Sequence, residues 1–525
     1  MNLKHETINN YFERKINKYG NNEALILPEE NKRYTYKDIK TYVNNIAKTF
    51  LTLGIKKGDH IAVYSHNSPE YILLTLGIMK IGGIVVGLNN DYNRVELNST
   101  LYHSDAVLLI TTNENSSIVQ DIRDTISKNK ENEYFPFLKA ILSVEELFSL
   151  SNILSQIDFV SNRELDNVSK EVVPEDIAMM FYTSGTTAMP KAVIQTHESI
   201  LNGIRSFAKN FKYDENDKIF SALPLFHMMG YEYTSLLALS SGSSVVFTKK
   251  FKTSMALEII QKEKCTSFHG VPTMYQFFLS KYTSYDISSL KKGFIAGASC
   301  SKDLLNSLRN ELGIEDIFVG YGQTETLGVT QTRISDSDEK KVTTVGKPVA
   351  YNKLKVVNPS NFSEELQNNE KGLIFVNSPF IMKGYYKEPE KTKATIIDGW
   401  VNTGDLGYLD NDGYLVISGR EKDIIIRGGE NISPIEIEEV LLKHPAIKNA
   451  AVIGVPDDLL GEEICAFLIL EKDQQISEKE IQSYVLNNLA KYKKPKYVRF
   501  IDKFPLTSSN KIKKNELKSM FVNKK

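Results

Sequence analysis

Short apolar runs alternate with amphipathic stretches through the first two thirds of the chain. The run 61–64 (Ile-Ala-Val-Tyr) predicts a strand, followed by a turn at Asn67-Ser68-Pro69 and a helix beginning near Glu70. The continuous apolar run 106–111 predicts a strand covered on both faces, as in a parallel sheet, and similar pieces recur at 244–247 and 292–297. Such alternation implies an α/β architecture with right-handed crossovers. From about Lys341 the texture changes: 346–348, 372–376 and 412–417 predict short antiparallel strands separated by Gly and Asp-Gly turns. Past Arg420 a further unit reads as helix (434–444), strand (450–453), strand (466–470) and helix (477–489). Ser477 and Glu480 form a capping-box pair at the start of that last helix. The expected division is a large domain over 1–421 and a small α+β domain over 422–525.

Charge and cysteine content narrow the function classes. With 64 basic and 65 acidic residues the net charge is −1, which argues against a globally basic nucleic-acid binder. Three cysteines, Cys265, Cys300 and Cys465, are far apart and odd in number. They make neither a disulfide framework nor a CxxC zinc site and fit a reducing compartment. The polar start has no secretory apolar core. The hydropathic stretch 71–88 is interrupted by Lys80 and split by Gly82-Gly83, so it reads as a buried helix–turn–strand unit rather than a membrane span. A cytoplasmic protein with no transmembrane segment is expected. There is no GxSxG elbow and no HExxH spacing. The lysines of 491–496 and 511–518 read as a solvated face, or as an attraction for phosphates.

Five segments carry chemistry. Residues 182–191 (YTSGTTAMPK) follow a strand-like run, 177–181, and offer four Ser/Thr hydroxyls, a glycine and a lysine. Backbone N–H groups and hydroxyls in such a loop can ring a polyphosphate while Lys191 supplies a point charge, although taken alone the loop also fits a solvated turn. The segment Tyr321-Gly322-Gln323-Thr324-Glu325-Thr326 places an aromatic face and a carboxylate at the carboxyl end of a strand, where open α/β sheets bind ligands. Thr403-Gly404-Asp405 sets a carboxylate on a tight turn, suited to two neighbouring sugar hydroxyls. Arg420, in 419–423 (GREKD), brings a guanidinium suited to phosphate. Lys511 stands in a polar loop near the end of the sequence, 505–512 (PLTSSNKI).

In this order and combination the segments resemble those of the acyl-adenylate-forming superfamily of acyl-CoA and aryl-CoA ligases, adenylation domains and beetle luciferases, over nearly the whole chain. Further agreement comes from 223–227 (LPLFH), 270–273 (GVPT) and 429–438 (GENISPIEIE). The resemblance implies stacked α/β sheets and a distorted β-barrel-like part in the large domain, and a mobile small domain. It implies an ATP-dependent carboxylic acid–CoA ligase using Mg²⁺ and coenzyme A. The carboxylate attacks the α-phosphate to give acyl-AMP and pyrophosphate, then the thiol takes the acyl group and AMP leaves. Thr183, Ser184, Gly185, Thr186, Thr187 and Lys191 are implied to hold the β- and γ-phosphates, and Glu325, with Thr183 nearby, to hold Mg²⁺. Tyr321, in the Gly322 and Thr324 turn, is implied to pack on adenine, with Gly297, Ala298 and Ser299 on its other face. Asp405 would take the ribose hydroxyls, assisted by Arg420, and Lys511 would bridge the substrate carboxylate and the adenylate. Lys422 sits at the hinge position, Gly429 lies where the pantetheine arm approaches, and His227 resembles the gate between acyl pocket and thiol tunnel.

Ala188, Ala192 and Asn510 stand where the family usually has glycine. Ala188 and Ala192 motivate one alternative, a weakened nucleotide-binding homologue, whereas Asn tolerates left-handed backbone and makes the change at 510 mild. Another alternative is an enzyme loading a carrier-protein phosphopantetheine. The segment 226–233 (FHMMGYEY) is implied to border the acyl pocket, with Met228 and Met229 an adaptable wall suited to a medium acyl or aromatic acid. Glu232 is expected to be solvated or paired or, if turned inward, to meet a cationic group.

Overall fold

A computed structural model describes residues 2–112, 116–128, 136–183, 190–297, 300, 302–457, 459–507 and 511–522. Among them the chain builds two α/β sheets, an antiparallel sheet and a smaller C-terminal unit. The first sheet runs, edge to edge, Lys347–Pro348, Leu327–Gln331, Asp316–Gln323, Lys292–Ile295, Ser267–Gly270, Lys218–Ser221, Ser244–Phe247, Glu23–Leu27 and Lys32–Thr35. Its interior strands are parallel, from Asp316–Gln323 through Glu23–Leu27, and both edges are antiparallel. The second sheet runs Gly384–Tyr385, Lys191–Thr196, Ile177–Thr183, Ile84–Gly87, His60–Tyr64, Leu108–Thr111 and Ala140–Ser143.

The apolar stretch 71–88 resolves as expected. Helix Pro69–Lys80 is capped by Ser68, whose hydroxyl accepts from the Tyr71 N–H. Gly82, at φ 76°, turns the chain, and Ile84–Gly87 enters the second sheet. The helix is buried along nearly its whole surface because it belongs to the core shared by both sheets. That is why its sequence has no polar stripe. No helix among the described residues is long and apolar enough to cross a membrane.

The antiparallel region predicted after Lys341 is a six-stranded sheet built on the long strand Trp400–Leu409, which pairs with Gly372–Asn377 on one side and Leu415–Arg420 on the other. The strand expected at 412–417 begins three residues later, because Asp410 to Gly413 form the turn: Asp410 Oδ1 accepts from the N–H groups of Asp412 and Tyr414. In the C-terminal unit, helix Pro434–Leu441 and helix Glu478–Asn488 accompany a sheet whose two long paired strands, Ile447–Asp457 and Gly461–Leu470, extend beyond their apolar cores. The Ser477–Glu480 capping box is present with both bonds made. This unit has its own apolar core around Ile425, Ile437, Val452 and Leu468.

Candidate active site

The strand-like run before the phosphate-loop segment has an antiparallel partner directly after it. Ile177–Thr183 and Lys191–Thr196 are antiparallel partners, with Thr183 opposite Lys191. The Thr183 hydroxyl donates to the Lys191 carbonyl across the pair at 3.4 Å. Lys191 extends its ammonium over the ring of Tyr385, 4.7 Å from the centroid. Ser184, Gly185, Thr186, Thr187 and Ala188 lie outside the described residues. Ala192 is a strand residue opposite Tyr182, buried in an apolar cluster with Tyr64, Val86 and Met180. Its φ is not positive, so a methyl is accommodated there without strain.

Tyr385 was not foreseen. It belongs to the two-residue strand Gly384–Tyr385, which adds to the edge of the hairpin opposite Ile194 and Val193. Its hydroxyl donates to Glu325 Oε1 at 2.8 Å, so one phenol touches both the predicted phosphate lysine and the predicted metal carboxylate. The Glu325 carbonyl accepts from the Met382 N–H, and the Thr324 carbonyl from Gln195 Nε2. These bonds seat the 321–326 turn on the second sheet. Glu325 Oε2 carries no hydrogen bond among the described residues, and the Thr183 hydroxyl is held only by a long contact. Two hard oxygen donors of this kind suit Mg²⁺.

Asp405 is the most heavily bonded carboxylate of the group and only 3% exposed. Its Oδ1 pairs with Arg420 Nε at 2.8 Å, the two residues standing opposite each other on adjacent strands. Its Oδ2 accepts from the Tyr321 hydroxyl at 2.7 Å and from Gln323 Nε2 at 2.6 Å. Gln323 also donates to the Thr403 carbonyl. The residue between tyrosine and glutamate in the 321–326 turn therefore locks that turn to the 403–405 turn, a tie no local sequence pattern announces. Burial and the neighbouring Asp405 push the Tyr321 phenol well above its ordinary range. At Gly322 a Cβ would lie 2.2 Å from the Leu327 carbonyl oxygen, so close approach of the two strands requires glycine there.

The C-terminal unit brings Lys511 into this group. Its loop is closed by the Lys511 N–H on Thr507 Oγ1 (3.0 Å), the Thr507 N–H on the Lys511 carbonyl (2.7 Å) and a bridge between Leu506 and Ile512. The side chain lies on Gly297, where a Cβ would come within 3.1 Å of Lys511 Cε and 3.5 Å of Nζ. Burial and then Arg420 hold the ammonium below its ordinary value, with Asp405 opposing them. Ala298, Ser299 and Asn510 lie outside the described residues.

His227 caps a short turn, its Nδ1 accepting the Met229 N–H at 3.2 Å. That bond leaves the proton of the neutral ring on Nε2. Desolvation and then Lys511 lower its pKa to about 3, so the imidazole is neutral through the physiological range. Lys422 is lowered by partial desolvation and by Arg420, with Lys191 also acting on it. Gly428 and Gly429 form the turn between Ile425–Ile426–Arg427 and Glu430–Ile432, at φ 57° and 89°. The turn alone requires glycine, and nothing lies within 4 Å of a Cβ at Gly429.

Four cations, Lys191, Arg420, Lys422 and Lys511, are thus gathered around Glu325 and Asp405, an arrangement that favours a polyanion. The chain belongs to the AMP-binding enzyme family: that family matches residues 12–386, and the AMP-binding enzyme C-terminal domain matches residues 436–511. It is a member of the acyl-adenylate-forming superfamily and an AMP-forming acid–thiol ligase. It is 34% identical over 540 residues to the putative acyl-CoA synthetase YngI of Bacillus subtilis, covering 99% of this chain and 98% of that one. It is 30% identical over 536 residues to the mitochondrial medium-chain acyl-CoA ligase ACSF2 of Danio rerio, covering 98% and 88%. Among solved structures it is similar to the anthranilate CoA ligase AuaEII in complex with anthranoyl-AMP, at 26% identity and a TM-score of 0.86, covering 99% of this chain and 98% of that one.

Proposed function

We propose that the chain is an ATP-dependent carboxylic acid–coenzyme A ligase acting on a medium acyl or aromatic acid. The observation that carries this reading is the position of Lys511. The C-terminal unit delivers its ammonium to Gly297, where the Asp405–Arg420 pair acts on it electrostatically and it acts in turn on His227. There it would bridge a carboxylate on the His227 side and a nucleotide on the Asp405 side.

In the first half-reaction a carboxylate oxygen attacks the α-phosphorus and the bond to pyrophosphate breaks. Lys191 and the 183–187 hydroxyls would hold the β- and γ-phosphates, Tyr321 would pack on adenine, and Asp405 with Arg420 would bind the ribose. Lys511 opposes the repulsion between two anions and the charge that grows as they meet. Glu325 and Thr183 would hold Mg²⁺, which when bound neutralises phosphate charge. In the second half-reaction the thiol sulfur bonds to the acyl carbon and AMP departs. Lys422 is proposed as the pivot between 1–421 and 422–525, withdrawing Lys511 and turning Gly429 towards the pantetheine arm. His227, neutral and fixed by Met229, would gate that path by moving rather than by titrating. Three cysteines that form no disulfide, Cys265 and Cys465 of them buried, fit the reducing cytoplasm.

Purified chain given ATP, Mg²⁺ and a panel of acids is expected to release AMP only when both acid and coenzyme A are present. Acyl transfer solely to a carrier protein, or no acid-dependent pyrophosphate exchange, would overturn the assignment. Tyr385→Phe should weaken Mg²⁺ by about 10–100-fold, read from the Mg²⁺ dependence of pyrophosphate exchange, because the carboxylate loses the donor that orients it. Thioester formation from supplied acyl-adenylate should change little.

A further inference from the structure

The turn capped by His227 starts as one α-helical turn, Met228–Gly230, and widens into a π-helix over Tyr231–Leu236. Two side-chain bonds span the widened turn. The Thr234 hydroxyl donates to the Met229 carbonyl and the Ser235 hydroxyl to the Gly230 carbonyl, both at 2.8 Å and both five residues back. Widened turns of this kind occur often at functional sites.

Glu232 stands in this turn with 0% exposure, and neither carboxyl oxygen has a hydrogen-bond partner among the described residues. It is neither solvated nor paired, contrary to the first expectation. Its neighbours are satisfied. The Tyr231 hydroxyl donates to Thr75 Oγ1 at 2.9 Å, the Tyr233 hydroxyl accepts the Gly328 N–H at 2.6 Å, and the Thr234 hydroxyl shares a bond with the His269 ring at 3.1 Å. An uncompensated buried carboxyl is costly, and such a group calls for an explanation. Burial alone drives its carboxyl well above the usual carboxylate range, with no cation among the causes. Glu232 lies four residues beyond Met228 and five beyond His227. In a helix passing from α to π that spacing is about one turn, on the side of the helix that carries those two residues.

We propose that Glu232 is a specificity residue that pairs with a hydrogen-bond donor, a hydroxyl or an ammonium, carried on the chain of the carboxylic acid substrate. The inference rests on the ligase reading and deepens it by naming the substrate class. A site built to hydrogen-bond a substrate group rejects the analogue lacking it far more strongly than an apolar wall rejects an extra methylene, because the protein's own polar group is left unpaired.

The test compares acid-dependent pyrophosphate exchange by the full chain for matched acids: hexanoate, 6-hydroxyhexanoate and 6-aminohexanoate, with benzoate and its 3-hydroxy and 3-amino counterparts. The wild type is expected to favour a donor-bearing member of each set, and Glu232→Leu to reverse that order, with the kcat/KM ratio moving by at least about 10-fold. Glu232→Gln separates the sources: it keeps a hydroxyl preference and loses an ammonium preference. Both variants should melt at or above the wild-type temperature, since no internal partner is lost. Unchanged acid ratios in active variants, or a lower melting temperature for the isosteric Glu232→Gln, would overturn the inference and leave the ligase reading standing. A wild type that activates no acid at all would sink both.

Discussion

Lys511→Ala is expected to lose about 10²–10³-fold in adenylate formation, the range for removing one well-placed electrostatic group, and to keep most of its thioester formation from supplied acyl-adenylate. The two half-reactions are measured separately, by pyrophosphate exchange and by AMP release from synthetic acyl-adenylate and coenzyme A. Equal losses in both would show that Lys511 acts throughout and that no withdrawal takes place. The pH dependence adds a second readout. Lys511 acts as the cation, and burial beside Arg420 sets its pKa below the ordinary 10.5. Adenylation should therefore fall as pH rises through that lowered value, and the alkaline limb should vanish in the alanine variant. The linkage has the opposite sign for docking. A lysine whose pKa is depressed in the docked state opposes docking while protonated, so the nucleotide-free docked arrangement gains stability as pH rises from the depressed value towards 10.5. A bound polyanion reverses this, raising the lysine's pKa and drawing the C-terminal unit in.

Asp405→Ala should carry the second large effect. Three donors converge on this carboxylate, from Tyr321, Gln323 and Arg420. Hydrogen bonds to a charged group contribute roughly 1.5–3 kcal/mol each, and Arg420, 47% exposed, belongs below that range. ATP affinity is expected to fall about 100-fold by calorimetry, because the ribose partner disappears and the 321–326 turn loses its tie to the 403–405 turn. Urea unfolding should show a loss of about 2 kcal/mol, the cost of leaving the half-buried Tyr321 and Gln323 donors unpaired. Unchanged ATP binding would remove Asp405 from the nucleotide site.

The legible part of the sequence was the part with local period or local composition. Strands 60–64, 108–111 and 244–247 announced themselves as apolar runs because parallel strands are covered on both faces. The glycines, hydroxyls and charged residues of the five segments stood out because turns at strand ends demand such types. Lys191 and Glu325, chosen from sequence, meet at Tyr385, and Asp405 pairs with Arg420 within electrostatic reach of Lys511. What escaped depends on pairings between distant segments. Tyr385 reaches Glu325 through a two-residue strand too short for any periodic signal. The hairpin partner of Ile177–Thr183, Lys191–Thr196, begins on a lysine and mixes apolar with polar residues, so it lacks the long apolar run that marks its neighbour. The π-helical turn has no residue pattern of its own, so the isolation of Glu232 emerges only once its surroundings are placed.

Gly297 is constrained from two directions at once. Its φ of 85° already favours glycine, and the stem of Lys511 fills the volume where a side chain would begin. A residue that offers no functional group thus sets how far the C-terminal arm can descend. Enlarging it would hold the molecule ajar with its reactive lysine intact, disabling the chemistry by obstruction at a position that no inventory of charged or hydrogen-bonding residues would single out.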